Sequence, residues 1–134
     1  MRIEDQVVSL ELALLMKDLG WPQGPYGPHF HWCEYPGGVG APFVQFGPGE
    51  GHDVDFMGHP PRYICAAPTV PEVGEGLPKW VGFHHVEGRW KAECPRSASG
   101  RPVGEGPIVE YAETEADARA LLWITLHAEG GGAR

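Results

Sequence analysis

The chain has no cluster of basic residues, no apolar run long enough to cross a membrane and no paired-cysteine motif. Its 10 Lys and Arg are scattered singly against 18 Asp and Glu, which leaves a formal net charge of −8. Such a surface repels phosphate backbones, so nucleic acid is not the expected partner. The acids are also too dilute to imitate a nucleic acid. Cysteine is scarce: Cys33, Cys65 and Cys94 make an odd count with no C-x-x-C pair. That argues against a disulfide framework and for a reducing cytoplasm. The opening residues Met1-Arg2-Ile3-Glu4-Asp5-Gln6 lack the regions of a secretory signal. A cytoplasmic protein with no membrane partner is the expectation.

Catalytic signatures are missing too. No Gly-x-Ser-x-Gly elbow is present. Gly47-x-Gly49-x-Gly51 has the glycines of a phosphate cradle but neither its strand-then-helix setting nor its Lys-Ser/Thr pair. Glu50, Asp53 and Asp55 beside it repel an anion, and the segment reads as a turn-rich loop.

What the chain has in abundance is glycine and proline, 20 and 14 among 134 residues. Five Trp, four Tyr and five Phe argue against disorder, because such side chains need burial or a partner. With 42% hydrophobic residues, one domain over 1–134 is expected, with long Gly/Pro-rich loops at 36–61 and 95–107.

The clearest local signal is Pro68-Thr69-Val70-Pro71-Glu72, ahead of Gly76 and Pro78. Thr69 and Glu72 have the spacing of a capping box, and Pro71 falls in the first turn, where a missing N–H costs little. A short helix follows. Ser9 and Gly20 bracket a helix of about three turns with Leu12, Leu15, Met16 and Leu19 as its apolar stripe. Thr114-Glu115-Ala116-Asp117 opens a final helix with a wide apolar face. Strands are expected at 29–35, 43–46, 62–66 and 108–111, 54–57 reads as either a further short strand or more loop, and a hairpin at 80–94 turns on Glu87-Gly88. The fold expected is α+β: an antiparallel sheet of about four strands, packed by an N-terminal and a C-terminal helix, with the short capped helix between strands.

Three tracts also resemble a family of small uncharacterised proteins encoded by bacteriophages and prophages. They are Val8-Ser9-Leu10-Glu11-Leu12-Ala13 through Lys17-Asp18-Leu19-Gly20-Trp21-Pro22-Gln23, then Ala66–Val70 with Glu72, Gly74-Glu75 and Leu77-Pro78, then Glu113–Ala120. The resemblance implies a phage or prophage accessory protein in a bacterial host cell. It brings no activity, cofactor or catalytic residue.

Among chemical candidates, His29-x-His31-x-Cys33 alternates along one strand and places three zinc-type ligands on one face. A fourth ligand is available from His52, His59, His85 or Cys94. The competing reading is half-buried histidines and a free cysteine packing as a small hydrophobe. Cys33 or Cys94 with a histidine and Asp53 or Asp55 makes a second, weaker candidate, a nucleophilic triad. The aromatics Trp32, Tyr35, Trp80 and Trp90 are candidate partner or ligand anchors, because such residues dominate binding hot spots.

The function expected is non-enzymatic binding of a host or phage macromolecule, or of a second copy of the chain. A host-takeover or counter-defence role, as an inhibitor, fits the setting. The acidic balance favours a basic or neutral protein surface, and loops 36–61 and 95–107 are the expected recognition elements. No cofactor is expected unless the 29–33 strand holds zinc. The alternative is a protein that sequesters a nucleotide-like ligand, stacked on Phe30, Trp32 and Tyr63 and held by Arg62, Arg89 or Arg101.

Overall fold

In a computed structural model of the chain, residues 3–23, 29–35, 40–46, 61–78, 81–95 and 107–131 are described. A short 3-10 turn at Ile3–Asp5 leads into helix α1 (Leu10–Asp18), then strands β1 (Phe30–Glu34), β2 (Phe43–Phe46) and β3 (Arg62–Ala66). Helix α2 (Val70–Glu75) follows, then β4 (Gly82–Val86), β5 (Arg89–Cys94), β6 (Ile108–Ala112) and helix α3 (Glu115–Gly131).

The α+β class is as expected, but the β-structure is not one sheet of about four strands. Six strands form two three-stranded antiparallel sheets, ordered β2-β1-β3 and β4-β5-β6. The break follows from α2. The chain leaves the first sheet at Ala66, turns through the capped helix and re-enters as β4 in the second. In the first sheet β1 is central, with Trp32 opposite Val44 on one side and Cys65 on the other. The second is a hairpin extended by β6. Its turn has both central residues at positive φ, Glu87 at 50° and Gly88 at 79°, the geometry that matches strand twist in a two-residue hairpin. Of the strands and loops expected from sequence, 54–57, most of 36–61 and nearly all of 95–107 lie outside the described residues.

The core has two parts joined by α3. Val7, Val8, Met16, Trp32, Cys65 and Val73 form one cluster with Ala116, Ala120 and Trp123 of α3. Ala92, Cys94 and Ile108 form the other with Ala118 and Leu122. Residues three and four apart along α3 thus share a side, Ala116, Ala120 and Trp123 on one and Ala118 and Leu122 on the other, and the alanines let both neighbours approach closely. The two terminal helices do not lie side by side over one sheet: α1 packs on α3 and β3, whereas α3 packs on β5 and β6. The α1 stripe is also shifted. Ala13 and Met16 are buried with Leu12 and Leu19 beside them, while Leu15 is 45% exposed.

Ser9 caps α1 by position, without a side-chain hydrogen bond. Its amide instead donates to Asp117 Oδ1 at 2.7 Å, and the Asp117 amide in turn reaches Thr114 Oγ1 at 3.2 Å. One carboxylate therefore ties the start of α1 to the first turn of α3. Burial pushes the Asp117 carboxyl above its ordinary range, against the pull of the Ser9 bond. A raised folded-state pKa means that the folded protein holds the proton longer than the unfolded chain. Stability from this group accordingly falls as pH rises from the ordinary carboxylate range through the raised value. Asp117→Asn keeps the acceptor and abolishes the titration. Its melting temperature relative to wild type should rise across that window and then level off, and a flat difference between about pH 3.5 and 7 would contradict the burial of this carboxyl.

Candidate functional site

A concavity among the described residues lies where α2, the C-terminal half of α3 and the segment after α1 meet. Its volume is about 640 Å³. Local chemistry places each wall. Helix α1 ends in a Schellman motif: the Trp21 amide donates to the Met16 carbonyl at 2.9 Å and the Gly20 amide to the Lys17 carbonyl at 3.1 Å. Gly20 stands at φ 103°, where a side chain is strained. That turn swings Trp21 onto α3, where its ring meets Trp123 edge-to-face, with centroids 5.3 Å apart. Gln23 then fastens the segment to β3. Its Nε2 donates to the Trp21 carbonyl, and its Oε1 accepts from the Ala66 amide and the Tyr63 hydroxyl, all at 2.9 Å.

The opposite wall is α2. The capping box is formed as its sequence requires: the Thr69 amide donates to Glu72 Oε1 at 2.9 Å and the Glu72 amide to Thr69 Oγ1 at 3.4 Å. The cap fixes the Glu72 carboxylate at the cavity rim, where Oε2 faces His29 Nδ1 at 3.2 Å. Glu75, in the last turn, is exposed and has no ionic partner among the described residues. Gly76 closes the helix at an ordinary φ of −85°, so its role is space. A Cβ there would stand 3.2 Å from Trp21 Cζ3 and 3.3 Å from Trp123 Nε1. From the far side His127 stacks on Trp123 with centroids 3.7 Å apart and donates Nδ1–H to the Trp123 carbonyl at 2.9 Å.

The lining is therefore two tryptophans, Phe30, two histidines and two carboxylates, with no Lys or Arg among its described residues. Aromatic faces and carboxylates together suit a cation, and no described Lys or Arg lines the cavity to hold an anion.

The anchors expected from sequence are distributed differently. Trp32 is a core residue, not an interface anchor. It is 8% exposed, and its indole N–H donates to the Val8 carbonyl at 2.9 Å, because β1 is a central strand covered on both faces. Tyr35 sits half-buried against Phe43, with centroids 5.0 Å apart, and lines no described cavity. Trp90 does line one. It meets Ile3, Val70 and Pro71 in a second, more apolar hollow of about 630 Å³ that shares Phe30 with the first. Trp80 lies outside the described residues.

Among the described residues the three candidate zinc ligands turn to separate partners. His29 is turned to Glu72, His31 is 3% exposed beside Tyr63, and Cys33 donates to Gln45 Oε1 at 3.6 Å. Burial holds the His31 imidazole below the usual histidine range. Among the described residues no three His, Cys, Asp or Glu side chains are grouped to hold a metal ion. His85 and Cys94 belong to the second sheet, and His52 and His59 lie outside the described residues. The nucleophile reading fares no better. Burial pushes the thiols of Cys33 and Cys65 up to about 11 and raises that of Cys94, so none is a thiolate at neutral pH. An aromatic disulfide reagent should find no reactive thiol in the native protein and three in denaturant; a fast-reacting native thiol would reopen the question.

The described residues of the nucleotide alternative are likewise engaged elsewhere. Trp32 is enclosed, Arg62 is paired with Glu34 at 2.7 Å, and Arg89 lies over Tyr111 on the other sheet. Arg101 lies outside the described residues. Among the described residues no helix is long and apolar enough to cross a membrane.

Sequence reasoning passed over Trp21, Trp123, His127 and Glu75 as site residues and took Gly76 only as a helix stop. The available signal was Trp21 directly after the glycine that stops α1; Trp123, in the middle of α3, gave none. No protein-family model, curated protein or solved structure matches the chain.

Proposed function

We propose that this is a non-enzymatic binding protein that captures a basic segment of another protein in the cavity between α2, α3 and Trp21. The observation that carries this reading is the lining itself: Trp21, Trp123 and Phe30 beside Glu72 and Glu75, with no described cationic side chain among them. A guanidinium or ammonium group gains from both the ring faces and the carboxylates. The net charge of −8 steers such a partner inward. Two of the tracts that resemble phage and prophage proteins, 8–23 and 66–78, supply most of the cavity walls. On that resemblance the setting is a bacterial host cell and the partner a host or phage protein, with inhibition during host takeover or counter-defence as the outcome.

The test is titration of arginine- and lysine-containing peptides, read by tryptophan fluorescence, against wild type and Glu75→Lys. Saturable binding that weakens by about tenfold or more in Glu75→Lys is expected, because an exposed charge is reversed at the rim. The melting temperature should not move. Absence of binding by any basic peptide, or equal affinity in the variant, would refute the reading.

A further inference from the structure

One buried polar group in the cavity wall has no hydrogen-bond partner among the described residues. Trp123 is only 5% exposed, yet its indole Nε1–H meets no acceptor among the described residues. Trp32, the other deeply placed indole, donates to a backbone carbonyl. Buried donors are ordinarily satisfied, and an orphan costs the desolvation of the group. The Nε1 edge of Trp123 lies against Gly76, both line the cavity, and the missing Cβ of Gly76 keeps that edge open: a methyl there would stand 3.3 Å from Nε1 and 3.4 Å from Cδ1. The ring cannot readily turn to seek solvent, because His127 is stacked on it and Trp21 abuts it.

We infer that the bound segment presents a peptide carbonyl oxygen to Trp123 Nε1 while its cationic side chain lies among Trp21, Glu72 and Glu75. The inference rests on the reading of the cavity as a basic-segment site, and it names the second group by which that segment is recognised. A cation alone satisfies the carboxylates and leaves the indole donor unpaired. An extended peptide supplies both groups, since each residue carries a carbonyl that accepts and an arginine or lysine carries the charge. The preferred ligand is accordingly a main-chain segment rather than a free amine.

The probe is a short arginine peptide blocked at both ends, compared with an arginine side-chain mimic lacking any carbonyl, an alkylguanidinium. In a ¹⁵N–¹H spectrum the Trp123 indole resonance, assigned by its loss in Trp123→Phe, should move downfield on adding the peptide and much less on adding the alkylguanidinium. Gly76→Ala, whose backbone conformation any residue adopts, lays a methyl over the donor. It should weaken the peptide by about tenfold, the scale of one lost hydrogen bond, and the alkylguanidinium far less. Peptide binding with an unmoved Trp123 resonance overturns this inference and leaves the basic-segment reading intact. Failure of both probes to bind refutes both.

Discussion

Trp32→Ala should lower the free energy of unfolding by about 3–5 kcal/mol, the usual range for emptying a buried tryptophan site. For a domain whose whole stability is about 5–15 kcal/mol, that leaves the chain near its folding threshold. The cost has two parts. One is the cavity among Val7, Val8 and Cys65, which are fully buried. The other is the Val8 carbonyl, which loses the indole donor that now reaches it at 2.9 Å. Trp32→Phe separates them: it retains most of the apolar volume and orphans the carbonyl, at a cost of about 1–3 kcal/mol. Urea titrations of the three proteins measure both effects. A Trp32→Ala protein as stable as wild type would contradict the enclosed position of this ring.

Trp21→Ala should do the reverse. Its ring is half-buried and rests on Trp123 and Gly76. Removing it costs an edge-to-face contact worth about 0.5–1.5 kcal/mol, plus part of its buried area. It also removes a cavity wall. If the cavity binds a cationic segment, the loss of affinity is at least about 2 kcal/mol, roughly thirtyfold, as for hot-spot aromatics. Peptide titration against Trp21→Ala checks this, with the urea midpoint as the control. Undiminished affinity would move the site elsewhere.

The contrast between these two tryptophans shows what was legible in the chain. Helix ends were, because they are decided by neighbours in sequence. Thr69 with Glu72 and Thr114 with Asp117 start α2 and α3 as capping chemistry demands, and Ser9 and Gly20 bracket α1 by position. The Glu87-Gly88 turn was legible for the same reason. Strand partnership was not. Nothing local tells Arg62–Ala66 to pair with Phe30–Glu34 rather than with Gly82–Val86, since that choice depends on where α2 sends the chain. Leu15 and Met16 are adjacent and equally apolar, and only the position of α3 decides that Met16 is the one inside.

The candidate site was half visible. Glu72 and Gly76 were recognised as parts of a helix cap, and each has a second use at the cavity that no spacing rule reveals. Glu72 presents its other oxygen to His29, and Gly76 makes room for two indoles. Trp123 reads from sequence as one more apolar residue on a wide helical face. Its idle N–H becomes visible only when every neighbour is in place.

The Ser9–Asp117 bond has a consequence for how the chain is made. Helix α1 leaves the ribosome before α3, yet its anchoring carboxylate and the alanines it packs near belong to α3. The two ends of that bond are 108 positions apart, a wait of roughly 5–20 s at about 5–20 residues per second. During that interval the nascent N-terminal half has strands of its own to pair but no lid for Val8 and Met16. A chaperone or the ribosome surface is the natural host for them until α3 arrives.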